Sequence, residues 1–183
     1  MTGIGHVTLP AGTFELRPPH VAEAEHAMAM LRDPDVRQWN PGPDEVTLDV
    51  VRDWLVRSAD WSSGEFAVWS VHDAQRYVGN ALICRIDPDQ REAWVAYRTA
   101  PWARGRGAAT SAVQAMTSFA FEVLGLERLR LPHAVANAAS CRVADKAGYV
   151  YEGTERGGYR DPAGVRWDSH VHARLRDGVV SRS

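Results

Sequence analysis

The sequence predicts a mixed α/β domain of α+β character, with a central, mostly antiparallel sheet of about seven strands and helices on both faces. Segments with helical and strand periodicity follow one another in the order β-α-α-β-β-β-α-β-α-β-β, with no internal repeat. Three consecutive strands joined by short polar turns indicate an antiparallel meander. The 183 residues, 45% hydrophobic and 24% charged, suit one globular domain spanning residues 1–183.

The first third of the chain predicts two helices after one short strand. Residues 1–13, rich in glycine, are expected to form a loose lead-in before a strand at 14–17. Pro18-Pro19 should open a helix whose apolar face runs from Val21 to Leu31, and Asp33-Pro34 should end it. Residues 37–45 have the composition of a loop. A second helix follows with Thr47 as its N-cap.

The remainder predicts six strands and two helices. The strands are expected at residues 66–71, 77–86, 91–99, 128–135, 148–156 and 165–175. A long helix starting near Ala109 should end at Gly125, and a short helix should span residues 138–146. In the last strand, His170 and His172 share a face with Arg166 and Arg174. Because these arginines oppose a cation, we expect a solvated face and no metal site.

Composition excludes several classes of protein. With 21 basic and 23 acidic side chains the net charge is −2, and no basic block is present, so nucleic-acid binding is not expected. The sequence has no CxxC pair and no apolar run long enough to span a membrane, and we expect no signal peptide in residues 1–13. We therefore expect a cytoplasmic protein whose Cys84 and Cys141 are free thiols.

The strongest local signal is the glycine- and arginine-rich segment at residues 104–109, between a strand and a helix. Glycines allow backbone N–H groups to converge, and the helix N-terminus adds positive potential, so the segment predicts a phosphate or pyrophosphate site. It lacks the Lys-Ser/Thr of a Walker loop, and Thr110 stands where a Rossmann fingerprint has its third glycine. A plain strand-to-helix turn remains the alternative.

Arg104-x-x-Gly107-x-Ala109 resembles the R/Q-x-x-G-x-G/A signature of GNAT acyltransferases, and nearly the whole chain resembles their RimJ/RimL branch. Asp168 matches a recurrent aspartate of that branch. The further blocks that carry the resemblance, in family order, are Leu16-Arg17-Pro18, Asp33-Pro34-Asp35-Val36, Ala93 to Tyr97 followed by Pro101, Phe119 to Leu129, Asn137-x-x-Ser140, and Asp145 to Tyr149 followed by Glu152-Gly153.

The resemblance implies that acetyl-CoA or a related acyl-CoA binds, without a metal, in an opening between two splayed parallel strands at residues 91–99 and 128–135. Pro132, which cannot donate a ladder hydrogen bond, is compatible with such an opening. The implied cofactor-binding residues are Val95, Ala96, Tyr97, Arg98, Thr99, Arg104, Gly105, Arg106, Gly107, Ala108, Ala109, Asn137 and Ser140.

The implied reaction is direct attack of a neutral amine on the thioester carbonyl. The resemblance makes Ser140 the proton donor to the thiolate and Asn137 a cofactor hydrogen-bond partner, although Asn137 also suits a helix N-cap. Trp94 stands where many members have glutamate, and Ala144 stands where many have a tyrosine donor. Glu92, Tyr97 and Asp168 are candidates for the base, and a water chain or no dedicated base stays open.

The acceptor is expected to be a primary amine on a protein N-terminus or a small molecule, bound by Trp39, Asn40, Trp94 and Asp168. A dicarboxylic acyl group such as succinyl would need an extra cation, for which Arg98 is the nearest candidate. Two other functions stay open: a non-catalytic acyl-CoA-binding module, and an enzyme binding a nucleotide at residues 104–107. Family members are commonly homodimers, so a homodimer is possible here.

Overall fold

The computed structural model describes residues 3–74 and 76–179, and within them eight strands form one sheet in the spatial order β1-β2-β3-β4-β5-β6-β8-β7. Neighbouring strands are antiparallel except β5 and β6, which are parallel. This confirms the predicted mixed, mostly antiparallel sheet. The strands are β1 (Leu9–Ala11), β2 (Phe14–Arg17), β3 (Ala67–Asp73), β4 (Arg76–Asp87), β5 (Glu92–Thr99), β6 (Arg128–Ala134), β7 (Val150–Arg160) and β8 (Arg166–Leu175).

The additional strand comes from the segment expected to be a loose lead-in. β1 pairs with β2 in a tight hairpin that buries Ala11 and Phe14 against the core. Gly12 takes a φ of 68° in the turn, a conformation that glycine adopts at little cost. The glycines of this lead-in therefore include one that closes a hairpin, a role that composition alone does not distinguish from disorder.

The helices are α1 (Ala24–Leu31), α2 (Pro34–Trp39), α3 (Leu48–Ser58), α4 (Ala108–Glu122) and α5 (Ala138–Lys146). The helix expected over residues 21–31 begins as a 3-10 turn at Val21–Glu23. The loop predicted from residue 37 was wrong for its first three residues, which belong to α2. Asp33 accepts a hydrogen bond from Val36 N at 3.1 Å, and Pro34 follows it. The Asp-Pro pair thus starts a helix as well as ending one.

Both faces of the sheet are covered, as predicted. Consecutive strand residues point to opposite faces, and the adjacent Tyr77 and Val78 belong to two different buried clusters. Tyr77 packs with α1 and α3, while Val78 packs in the cluster containing α4. No helix among the described residues is long and apolar enough to cross a membrane.

β8 contradicts the prediction of a solvated histidine face. His172 is only 1% exposed, because β8 lies between β6 and β7 and Cys141 of α5 packs onto it. Val171 and Ala173 are also buried, so both faces of this part of the strand are covered. The alternation of polar and apolar residues in β8 therefore led to the wrong prediction that its polar face is exposed to solvent.

The parallel pair β5 and β6 separates after three residues, which confirms the predicted splay. Pairing ends at Trp94 and Arg130. Beyond that point β5 follows β4 as far as Thr99, and β6 follows β8 as far as Ala134. The two strands are thus held by different partners while a gap opens between them.

Candidate active site

A cleft of about 820 Å³ occupies the gap between β5 and β6. It brings together the far halves of both strands, the start of α4 with the segment before it, one face of α5, residues of α2 and one residue of β7. The lining residues are Asp35, Val36, Trp39, Asn40, Val95, Ala96, Tyr97, Arg98, Thr99, Ala103, Arg104, Gly105, Gly107, Ala108, Ala109, Thr110, Leu131, Pro132, His133, Ala136, Asn137, Ala138, Ala139, Ser140, Arg142, Val143, Lys146 and Tyr159.

One end of the cleft is an anion cradle made by backbone N–H groups. Gly105 and Gly107 have φ angles of 75° and 87°, and Gly107 is the N-cap of α4 without a side-chain cap. The first N–H groups of a helix have no intrahelical acceptor, and the residues of this turn, beginning at Ala108, line the cleft. With the helix dipole they favour a phosphate group.

The two arginines of this segment are already paired with carboxylates. Arg104 donates to Asp35 Oδ2 at 2.9 Å and also bonds Asp33. Arg106 pairs with Asp73 and does not line the cleft. A phosphate here would therefore meet backbone donors first, and the arginines fix the segment against the α1–α2 corner and β3.

Backbone groups of β5 face the gap beyond the end of pairing. Arg91 O accepts hydrogen bonds from the β6 side, at Glu127 N and Arg128 N. Since alternate strand residues direct their backbone groups to the same side, those of Val95 and Tyr97 face the cleft. Tyr97 O accepts a 2.6 Å hydrogen bond from Asn40 Nδ2. The groups of Val95 and the N–H of Tyr97 are therefore the ones positioned to pair with an extended amide ligand.

Ser140, Tyr97 and Asn137 meet across the cleft. Tyr97 OH donates to Ser140 Oγ at 3.0 Å, which leaves the serine hydroxyl proton free for another acceptor. Asn137 Oδ1 accepts from Ser140 N at 3.2 Å, so Asn137 is the N-cap of α5. Its amide group can still donate, so capping does not prevent a contact with a ligand.

Burial alters two ionisable groups of β5. It raises the pKa of Tyr97 to about 12, although the bond to Ser140 opposes the shift. It lowers the pKa of Arg98 to about 10. Arg98 donates through Nε to Asn40 O and through Nη2 to Pro41 O, each at 2.7 Å. Tyr97 is thus a hydrogen-bond donor at neutral pH, and Arg98 holds the α2–α3 connection.

Glu92, Trp94 and Asp168 do not line the cleft, in contrast to their predicted roles. Glu92 accepts from Arg128 Nε at 2.6 Å at the closed end of the strand pair. Trp94 stacks against the Arg85 guanidinium at 4.0 Å. Asp168 is exposed and accepts from Gly157 N at 2.8 Å within the β7–β8 hairpin. Glu92 and Trp94 lie in the paired part of β5 and Asp168 lies on β8, so none of the three is in the splayed part of the β5–β6 pair.

Trp39 and Asn40 line the cleft where the acceptor was expected, beside a residue that sequence reasoning missed. Tyr159 of β7 lies 6.2 Å from Trp39, ring centre to ring centre, and bonds Gln38 O. Trp167 backs Trp39 at 5.6 Å. The register of β7 shifts between Glu155 and Tyr159, so strand alternation could not predict where Tyr159 points.

Arg142 and Lys146 were also missed. They lie four residues apart on α5 and line the cleft together with Ala139 and Val143. This is the spacing of one helix face. The signal was present in the sequence, but it has the same form as an ordinary solvated face.

Comparisons with known proteins agree with this geometry. The chain is 27% identical over 152 residues to "Putative ribosomal N-acetyltransferase YdaF" of Bacillus subtilis (strain 168), which is 80% of this chain and 81% of the relative. It shares its fold with RimL, a ribosomal L7/L12 alpha-N-protein acetyltransferase solved with coenzyme A: the TM-score is 0.84, with 20% identity over 94% of this chain and 100% of that one.

The fold is also that of the microcin C7 self-immunity acetyltransferase MccE, solved with acetyl-CoA and AMP. The TM-score is 0.80, with 17% identity over 89% of this chain and 92% of that one. The sequence model of the acetyltransferase (GNAT) domain family matches residues 13–150, which is well over half of the sequence. The chain therefore belongs to the GNAT acetyltransferase family and is an acyltransferase.

Proposed function

We propose that the protein transfers an acetyl group from acetyl-CoA to a primary amine, in the first place the α-amine of a protein or peptide. The observation that carries this proposal is the arrangement of the cleft. It has a backbone anion cradle at α4, free strand groups on β5, and Ser140 of α5, which accepts a hydrogen bond from Tyr97 of β5 across the cleft.

The cofactor would lie along β5. The pyrophosphate would rest on the N–H groups between Gly105 and Ala109, while the pantetheine amides would pair with Val95 and the N–H of Tyr97. Arg142 and Lys146 add positive charge along the wall formed by α5. Arg98 donates hydrogen bonds to the carbonyl oxygens of Asn40 and Pro41, so these donors are not available to the second carboxylate of a dicarboxylic acyl group. This favours acetyl as the transferred group.

The reaction follows from the groups at the inner end of the cleft. The neutral amine attacks the thioester carbonyl, the C–N bond forms, and the C–S bond breaks as the tetrahedral intermediate collapses. Ser140 Oγ donates its proton to the departing thiolate and recovers one from water, while Tyr97 holds that oxygen from the other side. With a raised pKa, Tyr97 is a donor and not the base. The amine proton is lost to water.

The acceptor would be held by Trp39, Asn40 and Tyr159. Two aromatic rings and fixed polar groups at a cleft mouth suit an extended peptide end, with its first side chain against the rings. The names of the Bacillus subtilis relative and of RimL point to ribosomal proteins as acceptors. The two free cysteines are compatible with a location in the reducing cytoplasm.

The first experiment measures acetyl-CoA binding by calorimetry for the wild-type protein and for a Gly105→Glu/Gly107→Glu variant. A Cβ at either position meets nothing within 4 Å, so the substitutions cost backbone strain at the positive φ angles but no clash at Cβ, and they place negative charge in the cradle. We expect an affinity loss of about 100-fold or more, the effect of repulsion added to lost amide donors.

The control is Gly178→Glu. This glycine is exposed, has a positive φ angle of 85°, has open space at its Cβ position and does not line the cleft, so the backbone strain is of the same kind but lies outside the site. The control should bind acetyl-CoA as the wild type does. Turnover is then measured by mass spectrometry with peptides of varied first residue and with small amines. A folded wild-type protein that binds no acetyl-CoA would refute the proposal.

A further inference from the structure

Four side chains that the acetyl-transfer chemistry does not use gather where β6, β8 and α5 meet. They are His133, Cys141, His170 and His172, and one ligand-type atom from each lies within 4.8 Å of the others. Cys141 Sγ is 3.6 Å from His172 Nε2 and 3.8 Å from His170 Nδ1. His133 stands opposite His170 in the register of the two strands. The cluster is thus built by rigid elements.

The buried members have unused polar atoms. His133 and His172 are 8% and 1% exposed, and His133 Nε2 and His172 Nδ1 have no hydrogen-bond partner among the described residues. Burying a polar atom without a partner is unfavourable, and native structures rarely tolerate it without a reason. Cys141 and His170 are half-buried, which leaves a route from solvent to the cluster.

One backbone group orients an imidazole ring of the cluster. His133 Nδ1 lies 3.0 Å from Ala134 O, which keeps that nitrogen protonated and leaves Nε2 as the atom that can bind a metal ion. His172 Nε2 faces the Cys141 sulfur, and its Nδ1, which makes no hydrogen bond, has the Asp145 carboxylate 3.8 Å away. Carbonyl and carboxylate partners behind metal-binding histidines are the usual outer contacts of such sites.

We propose that His133, Cys141, His170 and His172 form a binding site for Zn²⁺. Tetrahedral zinc has bond lengths of about 2.3 Å to sulfur and 2.0–2.1 Å to nitrogen, which place sulfur and nitrogen about 3.6 Å apart. The two measured sulfur–nitrogen distances are 3.6 and 3.8 Å. One thiolate and three imidazoles suit zinc and discriminate against magnesium and calcium, which take oxygen ligands.

The neighbouring arginines, which argued against a cation in the sequence, are engaged with carbonyl groups. Arg174 Nη1 donates to Ala147 O at 2.9 Å, and Arg166 Nη1 donates to Gly157 O at 2.8 Å. A bound ion would tie α5 to β6 and β8. Because Cys141 follows Ser140 directly, the ion would also fix the helix turn that carries the proposed proton donor. The metal site itself does not depend on the proposed function.

The test uses the full-length protein, freed of metal with a chelator under reducing conditions. Co²⁺ is added as a spectroscopic probe, and then Zn²⁺ in competition with a chelator of known affinity. We expect one ion per chain, a thiolate-to-cobalt charge-transfer band, displacement of cobalt by zinc, and a Tm that rises with zinc concentration. Zinc should also slow alkylation of Cys141 while leaving Cys84 as an internal reference.

Cys141→Ser and His170→Asn replace the two half-buried ligands, where loss of folding is least expected, and circular dichroism checks the fold. Each should weaken zinc binding about 100-fold, and Cys141→Ser should abolish the charge-transfer band. Asp145→Asn should weaken binding about 10-fold through His172. Cys84→Ser and His26→Asn are controls outside the cluster and should behave as wild type.

Two results would overturn the proposal. One is a folded wild-type protein that gives no charge-transfer band with cobalt. The other is a Cys141→Ser variant that retains wild-type zinc affinity, which would show that the ion binds at a site outside this cluster. Acetyl-CoA binding by the same metal-free sample reports on the proposed function separately, so failure of one proposal is distinguishable from failure of the other.

Discussion

The two ends of the β5–β6 pair are built in opposite ways from the same two strands. At the closed end, Arg128 joins Glu92 at 2.6 Å and Glu152 at 2.7 Å, so charged side chains bind the strands together. At the open end, pairing stops and strand backbone groups face a cleft. Ion pairs thus close one end of the strand pair, and unpaired backbone groups line the cleft at the other.

The difference teaches where a site can arise in a regular sheet. A central strand normally uses all its backbone donors and acceptors on its neighbours, which leaves none for a ligand. Here β4 and β8 hold the outer sides of β5 and β6 while the inner sides separate. The sheet can therefore present backbone groups to a cofactor without losing its order.

Ser140→Ala should produce the largest effect and should confine it to turnover. Loss of the proton donor is expected to lower kcat about 100-fold, because general acid catalysis of this kind contributes that much or more. The KM for acetyl-CoA should stay within about 2-fold, since the anion cradle and β5 supply the binding. Steady-state kinetics measure both quantities, and an unchanged kcat would remove Ser140 from the chemistry.

Arg128→Ala should show the opposite behaviour at the closed end. Losing its bonds to Glu92 and Glu152 leaves two carboxylates facing each other, and we expect the free energy of unfolding to fall by about 1 kcal/mol. Acetyl-CoA affinity should not change. Urea unfolding and calorimetry test this. Arg52→Ala, which breaks an exposed pair with Asp49 on α3, is the control and should cost less.

Local patterns in the sequence sufficed for the elements that carry the site. The predicted bounds of α5 are those observed, because Asn137 caps the helix and Gly148 with φ 81° follows its end. The segment at residues 104–109 lies at the start of α4 as predicted. Such features depend on neighbours along the chain, which a single sequence displays.

Features that depend on distant residues could not be predicted. The carboxylates that pair with Arg104 and Arg106 come from Asp33, Asp35 and Asp73, far away in the chain. The burial of His172 follows from the position of β8 inside the sheet. Both are consequences of strand order, and periodicity within one segment contains no information about it.

The smallest predicted effect concerns the pH dependence of stability and turnover that Tyr97 causes. It tests whether water is excluded from Tyr97 at the open end of the β5–β6 pair, as its burial indicates. Burial raises the pKa of Tyr97 to about 12 in the folded protein, from the ordinary tyrosine value of about 10. The unfolded chain therefore releases this proton first as pH rises. The Tyr97 contribution to stability is intact below about pH 10 and is lost as pH approaches about 12.

Tyr97→Phe should consequently lose less stability than the wild type between about pH 10 and pH 12, as measured by urea unfolding. Below about pH 10, Tyr97→Phe should lower kcat only a few-fold, because Ser140 keeps its own proton to donate. The apparent pKa of the kcat profile should be the same in both proteins. A basic limb that disappears in the variant would instead mean that Tyr97 ionises during turnover, and that the open end admits water freely.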